Sequence, residues 1–404
     1  MADKTALFES SQAWFSSYAD VLGVRKSEQE LDIEKYPTWN SFYSIFKKPF
    51  DSAYDRLDVG IKGATITKKQ MADFLEENND WYISSVLIAV ELIKEIQTIS
   101  RYGIKPPGYQ NLFYFRGDEG VMGKLEKIFK IANKSPIYTA SGAGQPFGDV
   151  NKWSPADIYL ASKKAFDTIQ EEYKTAEANQ GTYTFISLNK MMNRLIKDSE
   201  ILPLSLKKTE KTAKLVKVNF DRKSEAKELE KISFLKTSDW KPYVRVPFGQ
   251  KTVARDIRIF IQNMDEIKFR HDPSAKRFVV EYIPKIGSAR GGSMLLSIFI
   301  GLMNQIDSKT ARDIDKAYNE GLKEYNEEVA PLLKLKGKIP KKQFDFERGA
   351  ISAINIVNRV MPILSKWFNR KDPKSKNQIN EFTRSIFAYM TSRSPLSGRF
   401  VIAK

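Results

Sequence analysis

The 404-residue chain has no cysteine and a single histidine, His271. Without thiols it can form no disulfide, no thiolate zinc site and no cysteine nucleophile. One imidazole argues against histidine metal clusters and Ser–His relays. His271 follows Phe269-Arg270 at an expected strand end and reads as a structural or surface residue. Any metal here would be a hard cation held by carboxylates. Long apolar runs are also missing. The most apolar stretches, Trp81–Val90 and Met294–Met303, fall short of the roughly 20 residues a bilayer-spanning helix needs. The opening Met-Ala-Asp-Lys-Thr lacks the basic and apolar blocks of a signal peptide. These absences predict a soluble protein without a membrane span, working in a reducing compartment. The glycine-rich Ser141-Gly-Ala-Gly-Gln-Pro-Phe-Gly148 has no following Lys-Ser/Thr, so it is not a phosphate-binding P-loop.

What is present is positive charge, unevenly spread. The chain has 66 Lys+Arg against 49 Asp+Glu, a net +17. Residues 1–100 hold 11 basic and 16 acidic side chains, a net −5, which leaves +22 for residues 101–404. Charge confined in this way predicts DNA or another polyanion as partner of the later part. A solvated basic surface is the plainer alternative. With 42% apolar and 12% aromatic residues, the chain has ample material for buried cores.

Periodicity organises the rest. Residues 1–105 read as a helical region, with helix starts at Ser27-Glu-Gln-Glu and Thr67-Lys-Lys-Gln and an amphipathic helix over Asp73–Ile99. Tyr102-Gly103 and Pro106-Pro107-Gly108 should end that helix. The aromatic residues from Trp14 to Tyr54 should form this region's core. Helices are expected near 119–133, 163–178 and 187–197, strands at 156–162, 201–208 and 211–220, and a helix or loop at 221–231. Three alternating runs, Arg255–Ile261, Glu266–Arg270 and Arg277–Tyr282, predict an antiparallel meander. Helices over 294–306, 309–329, 346–368 and 377–392 should follow. The expected division is 1–105, 106–250 and 251–404.

One constellation carries chemistry. Trp153-Ser-Pro-Ala-Asp157 runs into a strand, and Ser205-Leu-Lys207-Lys208 ends a later one. Strand parity puts Ser205 and Lys207 on one face and Leu204 and Leu206 on the other. Metal-dependent nucleases use such a pattern: carboxylates bring Mg²⁺ to the scissile phosphate, and a lysine orients the attacking water. With these motifs, residues 119–220 resemble the PD-(D/E)xK, or restriction-endonuclease-like, fold, in particular its divergent phage-encoded members. Phe269-Arg270, Glu281, Lys285 and Ala289-Arg-Gly-Gly resemble the second half of the same group. The resemblance implies an α/β protein: a helical N-terminal region, a mixed-sheet nuclease-like core, then a β-meander with C-terminal helices. It also implies Asp157 as metal ligand and Lys207 as catalytic lysine. Ser205 stands where the pattern has Asp or Glu, so the second carboxylate would come from Glu119 or Glu126 on the first core helix. Two functions stay open. One is a Mg²⁺-dependent phosphodiesterase acting on DNA. The other is a non-enzymatic virion or structural protein that holds nucleic acid or other subunits, its own copies included. Lys208, Lys211, Lys214 and Lys217, with Arg290 at a helix start, are the candidate phosphate contacts. The pairs Glu281/Lys285 and Asp256/Arg258 share strand parity and read as cross-strand ion pairs.

Overall fold

Hydrophobic period and capping chemistry set most element boundaries in the computed structural model. It describes residues 4–54, 57, 66–101, 112–115, 120–139, 145–253, 255–261, 266–273, 277–283 and 291–404. Helices α1 (Lys4–Glu30), α2 (Trp39–Tyr54), α3 (Lys68–Glu77) and α4 (Asn79–Arg101) lead to strand β1 (Leu112–Phe115). Then come α5 (Val121–Asn133), β2 (Ile158–Ser162), α6 (Lys163–Ala178), α7 (Phe185–Lys197), β3 (Ile201–Leu206) and β4 (Leu215–Val218). Helix α8 (Arg222–Glu230) precedes strands β5 (Phe234–Thr237), β6 (Ile257–Ile261), β7 (Glu266–Asp272), β8 (Arg277–Ile283) and β9 (Gly291–Met294). Helices α9 (Leu296–Ile306), α10 (Ser308–Leu333), α11 (Lys341–Ser352), α12 (Asn358–Phe368) and α13 (Pro373–Met390) come before the last strand, β10 (Phe400–Ala403). The protein is mixed α/β, as expected. Among the described residues no helix is long and apolar enough to cross a membrane.

The chain divides into two units, and not at the boundaries its composition suggests. Unit 1 comprises residues 1–136, 153–221 and 396–404, and unit 2 comprises 137–152 and 222–395. In unit 1 the N-terminal helices are a layer of the sheet domain and share its core. Trp14, Phe15, Trp39, Phe42, Phe50 and Tyr82 lie in one buried cluster with Ile158, Leu160, Leu204, Leu206, Val401 and Ala403 of the sheet. The reason is the sheet itself: a strand pair apolar on this face must be covered, and the aromatic helices cover it. The Trp14 indole N–H also donates to the Phe50 carbonyl at 2.8 Å, tying α1 to α2. The sheet runs β1-β2-β3-β10-β4. Strands β1, β2 and β3 are antiparallel neighbours, while β10 lies parallel to β3 and antiparallel to β4. Helices α5, α6 and α7 pack against β2 and β3.

Unit 2 holds the expected meander as a five-stranded sheet, β5-β6-β7-β8-β9, antiparallel throughout. Buried and half-buried residues alternate along β7. Helices α9 to α13 supply its apolar cover, with Phe299, Trp367 and Phe368 each in ring contact with Phe382.

At two places in the N-terminal region the helix boundaries differ from expectation for a local reason. Ser27 starts no helix: it lies within α1, past a break at Gly23 (φ 73°), and its buried hydroxyl donates to the Ala19 carbonyl at 3.0 Å. The stretch 73–99 is two helices, because Asn78 leaves helical geometry and its side-chain amide donates to the Phe74 carbonyl at 2.8 Å. Thr67 does cap α3 in a capping box with Gln70. Tyr102, Gly103 and Pro106–Gly108 lie outside the described residues.

Candidate nucleic-acid interface

Antiparallel pairing of β2 with β3 sets Ile158 against Leu204, so Asp157 stands opposite Ser205. The two strands are tied there by side chain as well as main chain. The Asp157 N–H donates to the Leu204 carbonyl at 2.9 Å. Its carboxylate Oδ2 accepts the Leu206 N–H at 2.6 Å and the Ser205 hydroxyl at 3.3 Å. Ser205 is buried, Asp157 half-buried and Lys207 exposed. Leu204 and Leu206 fill the helix-covered face, in keeping with strand parity.

Two described carboxylates that could complete a metal set, Glu126 and Glu200, have other partners. Glu126, on α5, pairs with Lys130 one turn on, at 2.7 Å. Glu119 lies outside the described residues. Glu200 is held at the other end of the strands: its Oε2 accepts from the Ser162 hydroxyl and its Oε1 pairs with Lys164 at 3.1 Å. Among the described residues no three His, Asp or Glu side chains group so as to hold a metal ion. Oδ2 of Asp157 already serves a main-chain amide and a hydroxyl. Among the described residues this donor set does not fit Mg²⁺, which takes several anionic or neutral oxygens in a near-octahedral shell.

The lysines fall into distinct groups. Lys208 contacts Asp80 of α4 and lies 5.1 Å from the Trp81 ring centroid, so it fastens β3 to the helical layer. Lys217 is exposed too, but it pairs in register with Val401, which puts it on the opposite face of the sheet from Lys207. Lys211 is exposed in the loop between β3 and β4. Lys207 and Lys214 flank that loop, both exposed, and both bond to the end of β10. The Lys207 N–H donates to the Ala403 carbonyl at 2.7 Å. Lys214 and Lys404 exchange both main-chain bonds, at 2.6 and 3.0 Å. The register therefore sets Lys207, Lys404 and Lys214 abreast on three adjacent strands. By parity with Ser205 and Ile402 they share the face of Asp157. Arg290 lies outside the described residues.

Lys404 was missed by sequence reasoning, because four residues at 400–403 give too short a run to reveal where a strand pairs. The Trp153 motif does more than lead into Asp157. Its indole N–H donates to Asn189 Oδ1 at 2.9 Å, and the Asn189 amide donates to the Leu396 carbonyl at 2.9 Å. The Gly398 N–H donates to the Trp153 carbonyl at 2.8 Å. A Cβ on Gly398 would come within 3.1 Å of the Trp153 ring, so any larger residue would press on the indole. Asn219, buried at φ 66°, donates from its amide to the Gly398 carbonyl at 2.6 Å. Together these contacts thread 396–398 toward the gap that β10 fills.

In unit 2 the polar pairs of the meander are ion pairs: Lys268–Asp256 at 2.5 Å, Arg270–Glu281 at 2.7 Å and Arg258–Glu266 at 3.4 Å. Lys285 lies outside the described residues. His271 is buried against Phe278, Tyr318 and Tyr325, with Nδ1 2.5 Å from the Ser352 hydroxyl. Its role is structural. Comparison of the chain with protein-family models, curated proteins and solved structures gives no match.

Proposed function

We propose that this chain is a DNA-associated protein, built on a restriction-endonuclease-like sheet, that grips nucleic acid by its phosphates and does not cut it. The observation that carries this reading is the set of exposed lysines, Lys207 and Lys214 with Lys404, abreast on the Asp157 face of the sheet. Asp157 in this reading is a strand tie. Its carboxylate serves the neighbouring strand, and Ser205 adds a hydroxyl donor where hydrolysis would need a second carboxylate. Contacts of this type read no sequence, and their strength comes from counterion release. The uneven charge of the chain supports the same view.

Fluorescence anisotropy with labelled duplex and single-stranded DNA tests it. Affinity should fall linearly on a log–log plot against salt, and no Mg²⁺-dependent cleavage should appear over the same range. Binding that is absent or indifferent to salt would sink the nucleic-acid reading. Mg²⁺-dependent cleavage that disappears in Asp157→Ala would restore the nuclease reading, with Glu119 as the missing carboxylate.

A further inference from the structure

Lys207, Lys404 and Lys214 occupy one cross-strand row at the end of β3, β10 and the approach to β4. Neighbouring strands lie about 4.8 Å apart, and like charges set directly opposite each other destabilise the pairing. All three side chains are exposed, and among the described residues none of them forms an ion pair. Even a main-chain carboxylate at residue 404 would leave the row net positive. The central member belongs to β10, the strand that enters the sheet between two strands already adjacent in sequence. The row therefore works against the seating of β10, while the apolar side chains of Val401 and Ala403 work for it.

We infer that a phosphodiester backbone laid across this row is the ligand that relieves the repulsion, so that nucleic-acid binding and the seating of β10 are thermodynamically coupled. The inference rests on the nucleic-acid reading above and adds two things to it. Lys404 becomes a phosphate contact, and β10 becomes the element whose stability the ligand changes. Anything that binds only the sheet with β10 in place stabilises that state by mass action. By linkage, loosening β10 weakens binding to the same degree.

Hydrogen exchange read by mass spectrometry on the full chain, with and without saturating 20-base-pair duplex DNA, tests the coupling. DNA should slow exchange at residues 400–403 in the wild type. The slope of log affinity against log salt should become shallower by about one unit in Lys404→Gln and by about three in the Lys207/Lys214/Lys404→Gln triple variant. Lys404→Arg keeps the charge and should restore both readouts. Lys174→Gln, an exposed lysine on α6, should behave as wild type. Circular dichroism of each variant separates lost binding from lost folding. If DNA binds at saturation while exchange at 400–403 stays unchanged, or if Lys404→Gln keeps the wild-type slope, the coupling is wrong and the nucleic-acid reading survives. If no DNA binds at all, both fall.

Discussion

The Asp157 carboxylate accepts the Leu206 N–H, so its removal orphans a donor between two central strands. Leaving a buried donor unsatisfied costs about 1–3 kcal/mol. Asp157→Ala should therefore lower the melting temperature by several degrees in a thermal scan, and Asp157→Asn, which keeps an acceptor, by less. A wild-type melting temperature for Asp157→Ala would show that the tie is idle. His271 makes a pH-dependent prediction. Burial pushes its imidazole down from 6.5 to about 4, against a smaller upward pull from Asp272. The unfolded chain then binds a proton between those values and the folded chain does not, so stability falls as pH drops through that window. The shift corresponds to about 3 kcal/mol, fully lost below about pH 4. Denaturant unfolding at pH 7, 5 and 4 should show the decline, and His271→Gln should flatten it. The motif resemblance set Asp157 and Ser205 on neighbouring strands, and the register of β2 and β3 places them opposite each other. The aromatic pocket around His271 was illegible, because Phe278, Tyr318, Tyr325 and Ser352 converge from separate elements.

Elements with strong local chemistry were legible: α6 runs over the expected 163–178 with Ser162 as its cap, and Thr67 caps α3. Long-range geometry altered others. The stretch 346–368 was expected as one helix, yet Ala353–Val357 adopts π-helical geometry between α11 and α12. Gly321 of α10 packs against this turn. A Cβ on Gly321 would stand 2.2 Å from the Asn355 carbonyl oxygen, a main-chain atom held on both sides by helix. Overpacking of this kind costs about 1–3 kcal/mol, and a rigid neighbour puts it at the upper end. Gly321→Ala should lower the urea midpoint with an unchanged slope, whereas Gly181→Ala, with open space around it, should not. Asp307 is a second element-level anchor. Burial alone would raise its carboxyl, but hydrogen bonds from Thr310, Trp367 and Arg370 hold it at about 2. It caps α10 and binds the end of α12, so Asp307→Ala should cost about 1–2 kcal/mol, measured in the same unfolding assay.

At the scale of the whole molecule, unit 1 is gathered from three stretches of chain, and the last of them supplies an interior strand. Deleting residues 396–404 would leave β3 and β4 with facing unpaired edges and uncover Leu204 and Leu206. Limited proteolysis of the truncated chain should show rapid cleavage within 201–218, where the full-length protein resists. Equal resistance would mean that β10 is dispensable. The sequence by itself determined the α/β class, the helical and meander segments, the lack of thiol and imidazole chemistry, and the uneven charge. Each of these is written in local periodicity or composition. Only the tertiary structure decided that the N-terminal helices share a core with the sheet, that Lys208 meets Asp80, that Lys217 takes the opposite face of the sheet from Lys207, and that Lys404 stands abreast of Lys207 and Lys214. Strand pairing between residues some two hundred positions apart leaves no local period, so it exists only once the chain has folded.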